Sequence, residues 1–327
     1  MRDLLSEQLR YVGTEEGAVD SPRFDKIIQL TVARSPFQRK KLEQYLSRMD
    51  ACFFARAEEF AGNYSGYLES QGIPLDYAVK AYLDMCSSMM KCQIEFMKTG
   101  TYRTTDHDQV FAEVYSSPER MKPYMIALAI SQFLWPTHYR IYEAFENTIR
   151  ESAPHIGAYL EIGPGHGLYL HKAIQYLNSA ADVHAVDISP VSMEITKSII
   201  NYFHPAIANA TFWTGDILSY ETRARYDFIT MGEVLEHVNE PDRLLARLEQ
   251  LLSDSGTAFV TTSINSPAVD HVYHFKCVDD VREMIRAAGL SISNEQILPV
   301  EDLPMEEIVA KKITINYSAV LRRANGK

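Results

Sequence analysis

Short apolar runs alternate with helical segments through the second half of the chain, and this alternation restricts the possible folds more than any other feature. After Pro154 we predict strands at 158–162, 182–186, 211–214, 226–231, 256–262, 290–298 and 313–321. Helices are predicted between them at 167–177, 191–204, 243–252 and 279–288. Such alternation is typical of a parallel sheet with helices on both faces. The predicted fold class is therefore α/β, with a doubly wound, mostly parallel, seven-stranded sheet.

The first half of the chain lacks strand-like alternation and shows helical periodicity instead. We predict helices at 38–62, 75–98, 118–133 and 138–149. Pro118 follows Ser117 as proline does at a helix start, and Pro136 is expected to kink or restart the helix. With 327 residues, the chain has room for two domains. We predict an all-helical domain over residues 1–155, serving as a lid and in dimerisation, and a sheet domain over 156–327.

The composition limits the kinds of partner that the protein can bind. The net charge is −11, whereas proteins that hold a nucleic-acid backbone are usually basic, so we expect no nucleic-acid partner. No apolar run is long enough to span a membrane, and the first ten residues, MRDLLSEQLR, do not resemble a secretory signal. The four cysteines form no CxxC pair. We therefore expect a reducing, cytoplasmic location.

A glycine-rich turn follows the first predicted strand, in the segment AYLEIGPGHGLYL. Gly163, Gly165 and Gly167 allow a tight turn and a close approach of backbone to a ligand, and Glu161 precedes them. Asp187 ends the second strand about 20 residues later, where an acid accepts hydrogen bonds from ribose hydroxyls. A nicotinamide enzyme uses the same device, so these two motifs alone leave the cofactor open.

Three later motifs narrow the choice: FWTGDIL at the third strand, MGEVLEHVNEP at the fourth and GTAFVTTSINSP at the fifth. Together with the glycine loop, they resemble the class I S-adenosylmethionine-dependent methyltransferases, and EVLEHV resembles quinone-biosynthesis O-methyltransferases. The resemblance implies a Rossmann-like methyltransferase domain and S-adenosylmethionine as cofactor. It implies contacts to the cofactor from these residues: Glu161, Gly163, Gly165, Gly167, Asp187, Ile188, Asp216, Ile217 and Gly232.

Acids and histidines cluster after the fourth and fifth strands, whose carboxyl ends are expected to be neighbours. We predict His237, Glu233 and His271 as catalytic residues, and His237, His271 and His274 as ligands of a divalent metal ion. His237 acting as a general base without metal is the alternative. Small-RNA 2′-O-methyltransferases use a similar Glu-x-x-Glu-His pattern with a later histidine, but their later histidine does not align here.

The GEVLEHV and DHVYHF segments, with a helical first half of this length, resemble carbon methyltransferases that act on 2-oxo acids. This resemblance implies a small-molecule substrate that is methylated through its enolate, with a metal ion as Lewis acid. O-methylation of a phenol or catechol is the alternative. An RNA methyltransferase and a non-catalytic cofactor-binding protein are weaker alternatives. We expect a homodimer. The aromatic residues of the segment SQFLWPTHYRIY have two interpretations, as a wall of the substrate pocket or as core between the two domains.

Overall fold

The computed structural model describes residues 20–103 and 106–324. The expectation about the first ten residues lies outside the described residues. Contacts between residues divide the chain into two compact units. The first unit comprises residues up to Cys86 together with Ile126–Pro136, and the second comprises Ser87–Met125 together with Thr137 onward. These units do not follow the domain boundary predicted at residue 155, which stays a prediction.

Helices account for most of the described residues in the first half of the chain, as predicted. They are α1 (Pro22–Arg34), α2 (Gln38–Leu46), α3 (Ala51–Ser70), α4 (Leu75–Thr99), α5 (His107–Val110), α6 (Pro118–Leu134) and α7 (Pro136–Ser152). A short π-helix, Phe111–Tyr115, follows α5 directly. The predicted helix start at Pro118 is confirmed. The helix restarts at Pro136, one of the two effects expected of that proline, and so begins before the predicted His138.

The single helix predicted over 38–62 is wrong, because the chain breaks between α2 and α3. Asp50 has an extended backbone there, and its carboxylate accepts a hydrogen bond from the Phe53 amide at 2.8 Å. This is an N-cap, which begins a new helix and satisfies one of its free amides. Helix α1, which we did not locate in the sequence, begins with its Phe24 amide donating to Glu58 Oε2 at 2.9 Å.

Aromatic side chains form the core of the first unit. Phe53 packs edge-on against Phe24 and Tyr45, at centroid distances of 5.9 and 5.6 Å. Phe133 stacks on Phe60 at 4.7 Å. Such pairs contribute about 0.5–1.5 kcal/mol beyond their burial. Of the two interpretations of Phe133, as pocket wall or as core, these contacts therefore favour the core.

One seven-stranded sheet forms the centre of the second unit. Its strands are β1 (Ala158–Ile162), β2 (Asp182–Asp187), β3 (Ala210–Thr214), β4 (Tyr226–Gly232), β5 (Leu252–Ile264), β6 (Leu290–Pro299) and β7 (Ile315–Arg323). The helices between them are α8 (Leu168–Tyr176), α9 (Pro190–Phe203), α10 (Pro241–Leu251), α11 (Val278–Ala287) and α12 (Met305–Ala310). All seven predicted strands are found, whereas α12 was not predicted.

The strand order is β3-β2-β1-β4-β5-β7-β6, and β7 runs antiparallel to both of its neighbours. The predicted doubly wound, mostly parallel sheet is confirmed. From β1 the chain first proceeds outward through β2 and β3, and then returns to β4 on the other side. Ligands bind at such a switch point, beyond the carboxyl ends of the strands. The glycine loop after β1 and the GEVLEHV segment after β4 both begin there.

Apolar side chains bury both faces of the sheet. Leu160, Ile229 and Val260, on β1, β4 and β5, are at most 1% exposed. Helix α10 contributes Leu245 and Leu248 to the same core. Among the described residues, no helix combines the length and the apolar character needed to cross a membrane.

Candidate active site

The glycine loop adopts a backbone that only glycine accepts without strain. Gly163, Gly165 and Gly167 have φ values of 67°, 53° and 71°. A Cβ on Gly163 would lie 2.7 Å from Val234 Cγ2, which is closer than real Cβ atoms approach. The loop after β1 therefore packs directly against the GEVLEHV segment after β4. Both steric room and backbone conformation require glycine at this position.

Glu161 is a buried acid on β1, two residues before the first glycine of this loop. Its side chain is 3% exposed, and the Tyr159 hydroxyl donates a hydrogen bond to its Oε2 at 2.7 Å. Burial raises the pKa of Glu161 to about 8, although the hydrogen bond from Tyr159 opposes this shift. Tyr159, on the same strand, thus fixes the orientation of the Glu161 carboxyl group, which precedes the first glycine.

Asp187, the last residue of β2, accepts hydrogen bonds from the loop after β1 and from the loop after β2. Its Oδ1 accepts a hydrogen bond from the Ser189 amide at 2.8 Å, and its Oδ2 accepts one from the Gly165 amide at 3.3 Å. Burial raises its pKa to about 6. The carboxylate therefore lies at the glycine loop, where a ribose is expected, and the neighbouring Ile188 is half-buried.

The remaining predicted cofactor residues lie at the ends of β3 and β4. Asp216 is exposed, and its Oδ1 accepts a hydrogen bond from the Leu218 amide at 2.9 Å. Ile217 beside it is 5% exposed. Gly232 is the last residue of β4 and is half-buried. Because β1 to β4 are parallel, all these residues lie at the same edge of the sheet.

Two carboxylates follow β4, and they interact with each other. Glu233 has a φ of 52°, a backbone conformation that costs energy for a residue other than glycine. Thr261 donates its hydroxyl hydrogen to Glu233 Oε1 at 2.6 Å. Burial and the adjacent Glu236 raise the pKa of Glu233 well above its usual value. Two acids in contact cannot both ionise freely, so the pair retains a proton more readily than isolated acids do.

Glu236 is fully buried and is held by β5. Its Oε2 accepts a hydrogen bond from the Thr262 hydroxyl at 2.8 Å, and its Oε1 accepts one from the Ser263 hydroxyl at 3.3 Å. Its backbone oxygen accepts the amides of Val272 and Tyr273. The structure thus joins the segment after β4 to the loop after β5.

His237 and His271 meet in this space, with ring centroids 4.7 Å apart. His237 Nδ1 lies 2.9 Å from the backbone oxygen of Asp270, and His271 Nδ1 lies 2.5 Å from that of Ser266. A carbonyl oxygen can only accept, so each Nδ1 carries the proton. In the neutral form of each ring, Nε2 then has the free lone pair. Burial also lowers the pKa of His271 to about 4, which keeps its ring neutral.

Glu236, His237 and His271 offer ligand atoms that all lie within 4.8 Å of one another. Two imidazoles and a carboxylate suit a divalent transition metal, and a hydrogen bond from the second ring nitrogen is the usual support of a histidine ligand. The donor set therefore fits a metal ion. It includes two of the three predicted ligands, with Glu236 in place of the third.

His274 lies elsewhere. Its ring stacks on Tyr102 at 4.5 Å and meets the edge of Phe96 at 5.2 Å, and its Nε2 lies 2.8 Å from Asn265 Oδ1. These contacts hold it outside the cluster of Glu236, His237 and His271.

Sequence reasoning did not select three further residues around His237. Asp270 is 1% exposed, and its Oδ2 lies 3.6 Å from His237 Nδ1. The Tyr124 hydroxyl lies 3.5 Å from Asp270 Oδ1, and the Tyr115 hydroxyl lies 2.8 Å from His237 Nδ1. Both tyrosines belong to the helical half of the sequence and carry no motif that would mark them.

The comparisons with known proteins agree with this fold. Residues 137–297 match the family model for a methyltransferase domain. The chain is 22% identical over 179 residues to the ubiquinone biosynthesis O-methyltransferase of Acinetobacter baylyi, a match that covers 48% of this chain and 73% of that protein.

Solved structures also match the chain. An O-methyltransferase family protein from Burkholderia thailandensis has a TM-score of 0.51 and 11% identity, over 78% of this chain and 73% of that chain. The N-methyltransferase NodS from Bradyrhizobium japonicum WM9, in complex with S-adenosyl-L-homocysteine, has a TM-score of 0.48 and 12% identity, over 67% of this chain and 99% of that chain. Residues 137–297 are a methyltransferase domain, and the chain has the fold of class I enzymes and the activity class of an S-adenosylmethionine-dependent methyltransferase.

Proposed function

We propose that this enzyme methylates a carbon atom of a 2-oxo acid, assisted by a divalent metal ion that Glu236, His237 and His271 would hold. The observation that carries the proposal is the convergence of these three ligand atoms within 4.8 Å at the switch point of the sheet. Both histidines have Nδ1 fixed by backbone oxygens. A bound metal would supply Lewis-acid stabilisation of the negative charge that develops when a carbon acid loses its proton.

Glu233, in its carboxylate form, is the group suited to accept that proton. Its pKa is raised by burial and by Glu236, which brings a carboxylate closer to the basicity that proton abstraction requires. It is half-buried, whereas Glu236 is fully buried, so Glu233 is the member of the pair with access to a substrate. Thr261 fixes one of its oxygens. Methyl transfer from a sulfonium is an in-line displacement, for which the chain mainly supplies orientation.

We further propose that the predicted cofactor residues bind S-adenosylmethionine. In this assignment Asp187 accepts hydrogen bonds from the ribose, the glycine loop allows the close approach of the ligand, and Asp216 with Ile217 contacts the adenine. The positions of these residues at the carboxyl ends of β1, β2 and β3 support the assignment. The homodimer and the cytoplasmic location stay predictions.

O-methylation of a phenol or catechol is the second candidate. It is favoured by the similarity to a protein named ubiquinone biosynthesis O-methyltransferase. In that reaction a single base is sufficient, and Glu233 or His237 would take this role.

A methyl-transfer assay separates the two candidates. Purified enzyme is incubated with S-adenosylmethionine and a panel of 2-oxo acids and phenols, with and without a chelator. We expect turnover of a 2-oxo acid. The chelator should abolish this turnover, and addition of a divalent metal ion should restore it. Turnover of phenols alone, unaffected by the chelator, would contradict both the substrate class and the metal site.

A further inference from the structure

Tyr115 contacts both the proposed cofactor side and the proposed catalytic side of the site. Its backbone makes the first contact and its phenol makes the second. It closes the π-helix Phe111–Tyr115, a rare element that is frequent at functional sites. Its backbone oxygen accepts a hydrogen bond from the Ser189 hydroxyl at 2.7 Å. Its phenol oxygen lies 2.8 Å from His237 Nδ1. The side chain is 7% exposed, so few alternative positions are open to it.

On the cofactor side, Ser189 connects Tyr115 to Asp187. The Ser189 amide donates to Asp187 Oδ1 at 2.8 Å, and the Ser189 hydroxyl oxygen also caps α9 by accepting the Ser192 amide. A ligand that engages Asp187 competes with the amides of Ser189 and Gly165 for the carboxylate oxygens. Any resulting movement of Ser189 is passed to the Tyr115 backbone, because the hydroxyl of Ser189 is bonded to it.

On the catalytic side, the phenol of Tyr115 and the backbone oxygen of Asp270 lie at similar distances from His237 Nδ1, 2.8 and 2.9 Å. Burial raises the pKa of Tyr115 well above its usual value, so the phenol keeps its proton. A displacement of Tyr115 changes how the two oxygens share the Nδ1 proton. It therefore changes the orientation of the ring that presents Nε2 to the reaction.

We propose that Tyr115 is a positioning residue that couples S-adenosylmethionine binding to the orientation of His237. The path runs from Asp187 through Ser189 and the Tyr115 backbone to the phenol and the imidazole. It rests on the proposed roles of Asp187 and His237, and it requires neither a metal ion nor a particular methyl acceptor. Its effect is to arrange the catalytic segment only when the methyl donor is present.

The test uses the whole enzyme with ¹⁵N-labelled histidine and S-adenosylhomocysteine, without metal or methyl acceptor. The Nδ1 resonance of His237 is assigned from its loss in His237→Gln. We expect saturating S-adenosylhomocysteine to shift this resonance in the wild type, and we expect most of the shift to be lost in Tyr115→Phe. Ser189→Ala, which breaks the other end of the path, should have the same effect.

Tyr226→Phe is the matched control, because Tyr226 is a buried tyrosine whose hydroxyl lies 2.8 Å from His184 Nδ1. This variant should retain the wild-type shift of His237. Tyr115→Phe should weaken S-adenosylhomocysteine binding by no more than about 2- to 10-fold, the range expected for one net hydrogen bond.

Three results would overturn the proposal: no shift in the wild type, a full shift in Tyr115→Phe, or complete loss of S-adenosylhomocysteine binding in that variant. A failure to methylate 2-oxo acids would leave these measurements unaffected. The coupling and the proposed substrate class are therefore tested separately.

Discussion

Replacing Gly163 by alanine tests whether the glycine loop and the catalytic segment pack as the structure has them. Gly163 has a φ of 67°, a left-handed conformation that costs about 1–2 kcal/mol for a residue with a Cβ. The new Cβ would also lie 2.7 Å from Val234 Cγ2, on a side chain with little freedom at χ1. Such overpacking typically costs about 1–3 kcal/mol. We therefore expect Gly163→Ala to lower the free energy of unfolding by about 2–5 kcal/mol.

Val234→Ala separates the two contributions, because it removes the methyl group that the new Cβ would meet. Val234 is half-buried, so Val234→Ala alone should cost about 1 kcal/mol. In the double variant only the backbone cost and this truncation should remain, about 2–3 kcal/mol in total. Its loss should therefore be smaller than the sum of the two single losses, by about 1–3 kcal/mol.

Urea denaturation of the wild type and the three variants measures these free energies, and calorimetric titration with S-adenosylhomocysteine measures the effect on the site. If the losses of the two single variants simply add, the contact between the loop and Val234 is absent and the reasoning is refuted. We expect the double variant to recover part of the ligand affinity that Gly163→Ala loses.

Two further predictions concern the cofactor acid and the proposed metal ligand. Because burial raises the pKa of Asp187 to about 6, affinity for S-adenosylhomocysteine should fall as the pH drops through 6 and the carboxylate gains a proton. Titrations above and below pH 6 should show this fall in the wild type, and an equally steep fall in Asp187→Asn would refute it. Thr262→Val removes a hydroxyl donor from Glu236 and should weaken Co²⁺ binding by about 10- to 100-fold, as is usual when a ligand loses its supporting hydrogen bond. Thr257→Val, on the same strand, should leave Co²⁺ affinity unchanged, and equal losses in both variants would contradict the role of Thr262.

The sheet could be predicted from the sequence because each buried strand is a short apolar run bounded by turn residues. The ends of strands and helices were harder to locate from the sequence. Strand β5 begins at Leu252, before the predicted Gly256, since its first residue pairs with Tyr226 although Ser253 to Ser255 are polar. The break between α2 and α3 depends on a single cap at Asp50, which helical periodicity over the flanking residues obscured.

The candidate site could be predicted where residues follow strand ends. His237 and His271 were selected on that basis, and the structure brings them together. Periodicity could not distinguish His271 from His274, because the loop after β5 is irregular and the hydrogen bond from His271 to Ser266 decides which ring turns inward. Tyr115 is 122 residues from His237 in sequence, and only the tertiary structure places it there.

Hydrogen exchange at carbon tests the central claim most directly, because only carbon methylation through an enolate requires loss of a C–H proton. A 2-oxo acid that the enzyme methylates is incubated in D₂O with enzyme, a divalent metal ion and S-adenosylhomocysteine, so that no methyl group can be transferred. The account predicts that deuterium enters the carbon next to the carbonyl, that chelation stops the exchange, and that His271→Ala and Glu233→Gln lack it. Methyl transfer without any enzyme-catalysed exchange at that carbon would contradict the account.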